Sequence, residues 1–443
     1  MKYVDVTSAL LLTVLACRGA GSPESAVPAD FSSNLPIIVI DTEGTEILDE
    51  PKVPARIRIY QGQNGRTRPD VGHLVLESLI GIEIRGHSSR EFFPKKQYGF
   101  EFRRGRRSQI AVPVLGMPKE SDWILYGPYS DKSLLRNQLT FFLADQMGHY
   151  ASRGRFVELF LHEGTKTPPL EAYRGIYIVL EKIKVGKHRV DITKMQGDTG
   201  EQTGYMLKMD RLDPANEEYS FTTARGTHLI SVYPRMEDLT KAHKDYIHQY
   251  IDDFETALTQ IPLGAQTRSY EDYIDVGSFI DFMIIGELSK SVDLFRMSTF
   301  MHMDMNGTLK MGPLWDFNQA YGNSAYHPRS SRVEGWRFGL PGEHSWCERL
   351  VTAPHFAEAL VTRWRELRLS VLDDAAILDF LDSHAALLEE AQQRNFSRWP
   401  ILGRRLLGNP ASFPKTYQGE VEQLKDFLVN RARWIDAHIG ELL

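Results

Sequence analysis

The sequence predicts an α+β fold in two parts, a β-rich N-terminal part and a mainly helical C-terminal part. Three observations carry this. Up to about residue 235, short runs alternate apolar with other residues at period two, the mark of half-buried antiparallel strands. Beyond Glu237 the apolar spacing becomes helical. The 443 residues are 42% hydrophobic and 25% charged, which are the values of a globular chain able to bury a large core.

The first 17 residues, MKYVDVTSALLLTVLAC, carry one Lys, a short apolar run from Ala9 to Ala16 and small residues before a Cys. They read as an export signal, too short to span a bilayer. "VLAC" is similar to a bacterial lipoprotein signal in which Cys17 becomes the lipidated first residue, with Asp5 and Leu15 as departures from that pattern. Residues 18–34 are then expected to be a polar tether. An exported protein follows, either secreted or held at the envelope by a lipid on Cys17.

The expected β-rich part covers 35–235. PARIRIY (54–60), IGIEIRG (80–86) and QYGFEFR (97–103) are its first strands, and GHSSREFFPKK is a Gly/Ser turn ending in two lysines. After DWILYGPY, a helix is expected over 130–147, capped by Ser130, with Leu135, Leu139 and Phe142 on one face and Gly148 at its end. RFVELFL (155–161) and RGIYIVLEKI (174–183) are further strands, and GYMLKMD (204–210) and THLISVYP (227–234) are expected to extend the sheet.

The helical part is expected over 236–443. Its first helix places Leu239, Tyr246, Tyr250 and Phe254 on one face, and VGSFIDFMIIGELSKS is a second, largely buried one. STFMHMD and TLKMGPLWD form a hairpin around Asn306-Gly307, and 355–393 and 418–442 are amphipathic helices.

Charge and cysteine content exclude several classes. A net charge of −6 argues against a nucleic-acid binder, and the cluster Arg103, Arg104, Arg106 and Arg107 reads as a solvated turn. After Cys17 only Cys347 remains, so neither a disulfide framework nor a cysteine-rich zinc site is possible within one mature chain. No HExxH pair supports a zinc protease, and His344 with Cys347 is a lone HxxC.

GPLWDFNQAYGN (312–323) raises the functional question, because an unpaired carboxylate is costly to bury and Asp316 stands between two large aromatics. A metal ion or a structural cap would account for it. Phosphoryl transfer from ATP needs a small-residue loop, a cation from a nearby strand and two acids. RGHSS offers the loop, Lys95 or Lys96 the cation, Asp293 at a helix end the first acid and Asp316 the second. Each feature singly also has a bland reading as turn, solvated lysine or cap.

Five blocks, GIEIRGHSSREFFPKKQYGFEF, DWILYGPYSDKSLLRNQLTFFLADQMG, YRGIYIVLEKIKVGKHRVDI, GYMLKMDR and GELSKSVDLFRMSTFMHMD…GPLWDFNQAYGN, resemble the CotH family, the spore-coat protein H kinases. The likeness runs in the same order from about Leu35 to the C-terminus. It implies a divergent, two-lobed protein-kinase-like fold and transfer of phosphate from ATP to a protein hydroxyl with Mg²⁺. By position it makes Asp293 the catalytic-loop acid and Asp316 the metal-binding acid. Arg85, Ser88 and Ser89 fall in its phosphate-loop block, Lys95 and Lys96 in its P-K-K segment, and Arg136 where a kinase-like fold can aim it at phosphates. Trp315 is read as stacking on adenine or on a core partner. Asn318 stands where spore-coat members have a second Asp, which offers the metal a neutral oxygen.

The implied partners are ATP and an unidentified protein substrate. Because ATP is scarce outside the cytoplasm, a catalytically weak kinase-like binding module at the envelope is the alternative. A glycosidase pair formed by Asp293 and Asp316 lacks a recognisable aromatic cleft. "GHSSR" lacks the closing Gly of a serine-hydrolase elbow.

Overall fold

The computed structural model describes residues 27–28, 30–105, 108–163, 169–212, 218–261, 269–327, 329–338 and 346–443. The expected signal over 1–17, Cys17 with it, and Arg106, Arg107 and His344 lie outside these residues.

The N-terminal strands are β1 (Ile37–Asp41), β2 (Val53–Tyr60) and β3 (Leu74–Arg85), followed by the short α1 (Ser88–Phe92). Next come β4 (Gln97–Arg104), β5 (Ser108–Gln109), the small hairpin β6 (Val112–Val114) and β7 (Met117–Glu120), and β8 (Asp122–Tyr126). Helix α2 (Arg136–Gln146), β9 (Gly154–His162), α3 (Pro169–Ala172) and β10 (Tyr173–Glu181) complete this part. Strand order is β3-β2-β1-β9-β10-β8-β4, and β4 pairs back onto β3, so seven strands close into a barrel that β5 extends. Only β1 and β9 run parallel among the barrel pairs.

Period-two alternation divides the strands between two cores. Ile57, Ile59, Ile80, Ile82, Phe100, Phe102, Trp123, Leu125, Val157, Leu159 and Val179 form one buried cluster. Their strand neighbours Ile124, Tyr126, Ile176, Ile178 and Leu180 belong to a second cluster, shared with α2 and the later helices. Each fully buried large apolar side chain contributes about 1.5–3 kcal/mol, so both faces of β8 and β10 stabilise the fold. That is why these strands read as nearly continuous apolar runs.

Strands β11 (Tyr205–Met209), β12 (Ser220–Thr222) and β13 (His228–Tyr233) depart from expectation. They do not extend the barrel. They form a second sheet with β14 (Thr299–Met303) and β15 (Lys310–Met311), in the order β12-β13-β11-β14-β15. A boundary at residue 235 therefore cuts through a sheet. Period two identifies a strand and one buried face, not its partner.

Between the halves of this sheet run α4 (Lys241–Gln260), capped by Thr240, and α5 (Val276–Ser289), capped by Asp275 and buried at nearly every position. Helices α6 (Trp346–Leu350), α7 (Pro354–Arg368), α8 (Asp374–Arg398) and α9 (Tyr417–His438) follow. Helix α8 docks on the barrel. Asn395 accepts the Ile176 N–H at 3.1 Å, Arg394 pairs with buried Glu158 at 2.6 Å, and Trp399 Nε1 donates to the Arg174 carbonyl at 2.8 Å.

Two local expectations are corrected. Of the expected tether, residues 18–26 and 29 lie outside the described residues, and the others are not free, because Val27 is buried and Phe31 packs edge-on to Phe160 with ring centres 4.9 Å apart. Helix α2 begins at Arg136, not at Ser130. Asp131 accepts the Ser133 and Arg136 N–H groups at 3.2 and 3.0 Å and holds 131–135 as a turn ahead of the helix. No helix among the described residues is long and apolar enough to cross a membrane.

Candidate functional site

Helix α5 ends at Lys290 in the left-handed conformation (φ 46°), and the chain then turns through Asp293, Phe295 (φ 61°) and Ser298 (φ 51°) into β14. Asp293 is half-buried. Its carbonyl accepts the N–H groups of Arg296 and Met297 at 3.0 and 2.7 Å, and its Oδ1 takes Arg296 Nη2 at 3.1 Å. Past the β14–β15 hairpin, Asp316 is also left-handed (φ 65°). Non-glycine residues in this region are strained and persist only where their surroundings over-determine them.

Helix α2 supplies those surroundings. Asn137 Oδ1 accepts the Phe317 N–H at 2.6 Å, Arg136 Nε donates to the Ala320 carbonyl at 3.2 Å, and the Thr140 and Tyr321 hydroxyls lie 2.8 Å apart. From α5, the Ser289 carbonyl accepts the Tyr321 N–H at 2.7 Å.

Asp316 has the accessible area of a half-buried residue, and protein surrounds its carboxyl. Burial pushes its pKa up to about 7, and the nearby charges of Asp293 and Asp210 add to this while Arg85 opposes it. Asp210, at the end of β11, is also raised, first by burial, against hydrogen bonds from the Arg211 and Ser298 backbones. Burial lowers the Arg85 pKa against the pull of Glu83 and Asp316. Lys182, just past β10, is lowered by burial and then by Arg85. Three acids from three elements thus share one electrostatic neighbourhood with Arg85 of the barrel, and Lys182 adjoins Arg85.

Of the residues singled out in the sequence, Asp293, Asp316, Arg85 and Trp315 come together here. Arg85 lies 6.0 Å from the Trp315 ring centre, and Trp315 stacks on Phe141 at 6.0 Å, so the core partner is the one this ring has. Asn318 hydrogen-bonds the Tyr126 hydroxyl, and its carbonyl accepts Asn323 Nδ2 at 2.7 Å. Ser88 and Ser89 lie on α1 and neither hydroxyl hydrogen-bonds to Asp293 or Asp316. Gly86 (φ 94°) precedes them, and a Cβ there would stand 2.3 Å from Ser89 Oγ, so the turn requires glycine.

Three cations are placed elsewhere than the sequence suggested. Lys95 is buried and donates to the Pro128 carbonyl (3.2 Å), the Ile176 carbonyl (2.7 Å) and Asn395 Oδ1 (2.9 Å). Burial lowers its pKa, but three acceptors engage all three ammonium N–H donors and leave none for a phosphate. Lys96 caps the Arg90 and Phe93 carbonyls at 2.6 and 2.9 Å. Arg136 is buried against Asp131 at 2.5 Å. The sequence puts Lys95 or Lys96, and Arg136, at the phosphates; the structure uses all three as internal braces.

Sequence reasoning missed Lys182 and Asp210. Both follow strands directly, and a charged residue ending a strand that is buried on both faces is the signal that was available. A cavity of about 240 Å³ that none of the three acids lines is bounded by His149, Asp281, Phe282, His302, Met311 and Leu314.

Among the described residues no group of three or more His, Cys, Asp or Glu is arranged to hold a metal. This donor set still fits Mg²⁺, which keeps several waters and is bound through one or two carboxylates together with substrate phosphates. Asp316, beside two other acids and one opposing arginine, is the carboxylate that could hold such an ion.

A model of the family described as CotH kinase protein matches residues 82–435. A comparison with curated proteins found no match.

Proposed function

Because the chain belongs to the CotH kinase family, matched over residues 82–435, we propose that it is an atypical protein kinase that moves the terminal phosphoryl group of ATP to a protein hydroxyl. The barrel and α2 serve as the N-terminal lobe, and the second sheet with α4 to α9 as the C-terminal lobe. The observation that carries this reading is the convergence of Asp293 and Asp316, ends of an α5 turn and a hairpin exit, with Arg85 of the barrel, which has Lys182 as a neighbour. Bound Mg²⁺ would neutralise charge on the transferring phosphates.

In this reading Asp316 holds the metal, with Asp210 adding to the negative field. Arg85 and Lys182 face the phosphates, replacing Lys95 and Lys96 in that role. Asp293 accepts the proton of the acceptor hydroxyl as its oxygen bonds to phosphorus and the bond to ADP breaks. The signal-like residues 1–17 support export, with Cys17 as the lipid-anchored end or the protein secreted free.

A catalytically weak binding module is the second reading. Asn318 favours it, since its neutral amide oxygen offers Mg²⁺ less charge than a second carboxylate would. Calorimetric titration with ATP, with and without Mg²⁺, and mass spectrometry of the protein and a serine-rich acceptor after incubation separate the two. Mg²⁺-dependent binding with one phosphate transferred per acceptor site supports the kinase. Mg²⁺-dependent binding without transfer supports the module, and absence of nucleotide binding overturns the enzyme and leaves only the kinase-like fold.

A further inference from the structure

The turn that carries Asp293 is gripped from behind. Arg337 lies in the chain beyond the Asp316 turn and is buried. Its Nε donates to the Ser291 carbonyl and its Nη2 to the Leu294 carbonyl at 2.5 Å, so one guanidinium spans the backbone on both sides of Asp293.

The base of that fork is itself fixed. The N–H groups of Arg337 and Phe338 donate to the two carboxylate oxygens of Glu287, at 2.7 and 2.9 Å. Arg431 of α9 donates to the same carboxylate at 2.9 Å, to the Glu287 carbonyl at 2.8 Å and to the Gly335 carbonyl at 2.9 Å. Lys290 adds a bond to the Glu334 carbonyl at 2.5 Å. A planar fork with fixed donors suits such a brace, because an ammonium cannot span two carbonyls in a set plane.

The turn needs an external hold. Lys290, Phe295 and Ser298 are all left-handed, and such residues are strained and persist only where their surroundings enforce them. Arg296, the partner of the Asp293 carboxylate, is exposed and lies within the same turn, so it cannot anchor that turn to the rest of the molecule.

We infer that Arg337 is a positioning residue for Asp293: by bracing the Ser291 and Leu294 carbonyls against the Glu287–Arg431 knot, it sets where the Asp293 carboxylate meets the acceptor hydroxyl. This rests on the kinase reading above. It assigns to the segment 329–338 a role in the chemistry although no side chain of it touches the acids.

Arg337→Lys keeps the charge and loses the fork. With Mg·ATP and the serine-rich acceptor, the ATP KM and calorimetric affinity should stay within about twofold of wild type, while kcat falls by about 10²-fold, as a misplacement near 1 Å can cause. Adding Asp293→Asn to Arg337→Lys should cost little more than Asp293→Asn alone, because both act through one carboxylate. Additive losses, or a loss confined to KM, overturn the inference.

Hydrogen exchange of the ligand-free proteins gives an independent readout. Amides of 291–298 should exchange at least about tenfold faster in Arg337→Lys, with barrel amides unchanged. Unchanged exchange at 291–298, or an equal rise everywhere, overturns positioning whatever the turnover. If wild type turns over no ATP, the kinase reading fails while exchange still decides whether Arg337 holds the turn. Should Arg337→Lys not fold, Glu287→Gln, which weakens the base of the fork, is read by the same two measurements, with the same directions expected.

Discussion

At Asp316 the backbone and the side chain are both held in states that cost free energy: a left-handed φ of 65° and a carboxyl enclosed with two other acids. Its pKa stands at about 7 against an ordinary 3.8. A carboxyl raised in this way favours folding while protonated. That contribution is complete below the unfolded pKa and is lost as pH rises through the folded one. Ligand-free protein should therefore melt lower at about pH 8 than at about pH 5, and Asp316→Asn, which cannot ionise, should remove this component. In Mg·ATP the order reverses, since only wild type gains from the ligand, by roughly 2.7 kcal/mol at 100 times its dissociation constant. Melting curves of both proteins at both pH values, with and without Mg·ATP, check this; a variant that still gains from Mg·ATP contradicts the metal role. Asp293→Asn should differ, keeping Mg·ATP affinity and losing turnover, because a proton acceptor is felt in the transition state. Both acids were legible in the sequence because an acid at a helix end and another between aromatics are each unusual. Asp210 was not, since its partners Asp293 and Asp316 lie more than eighty residues downstream and only the second sheet brings them near.

Elements explain why the cations were misread. The sequence places Lys95 and Lys96 between a glycine-bearing turn and a strand, which suits a phosphate, but says nothing of the three acceptors that α8, β10 and the segment after β8 bring to Lys95. Removing Lys95 leaves buried carbonyls and the Asn395 amide oxygen without donors, at about 1–3 kcal/mol for an unsatisfied group. Lys95→Met should thus lower the melting temperature and leave the ATP KM near wild type. Lys182→Met should do the reverse, raising the ATP dissociation constant by about tenfold or more for a loss of 1.4 kcal/mol or above, with little change in melting. Thermal shift and ATP titration on both variants check the pair, and a KM effect confined to Lys95→Met would restore the reading from sequence. Strand existence, by contrast, was well legible: β2, β4, β9 and β10 fall within a residue or two of their expected ranges. β1 and β8 were passed over because both are buried on both faces and lack alternation. Barrel closure was not legible either, because the parallel β1–β9 pairing, between strands far apart in the chain, follows from tertiary packing.

For the whole molecule, the division into a β-rich and a helical part describes composition better than mechanics. The last long helices are fastened to the barrel. Glu158 on β9 is fully buried, and its carboxylate is met by Arg394 Nη2 at 2.6 Å, Arg394 Nε at 2.9 Å and the Tyr173 hydroxyl at 2.5 Å. Arg398 adds a bond to the Tyr173 carbonyl at 2.9 Å. Breaking a buried ion pair from one side leaves the other charge unpaired, which costs about 3–5 kcal/mol, whereas exchanging both partners for apolar residues can be nearly neutral. Arg394→Met should destabilise by that order, and the double change Glu158→Leu with Arg394→Met should recover much of the loss. Because α8 lies on β10 and α2 braces the Asp316 turn, the barrel and the helices are expected to unfold together. Denaturant melts read by far-ultraviolet circular dichroism, dominated by helices, should then coincide with hydrogen exchange in β9 and β10. Two separated transitions would mean that the parts are independent, and that the barrel cations can reach the acids only when ligand draws the two together.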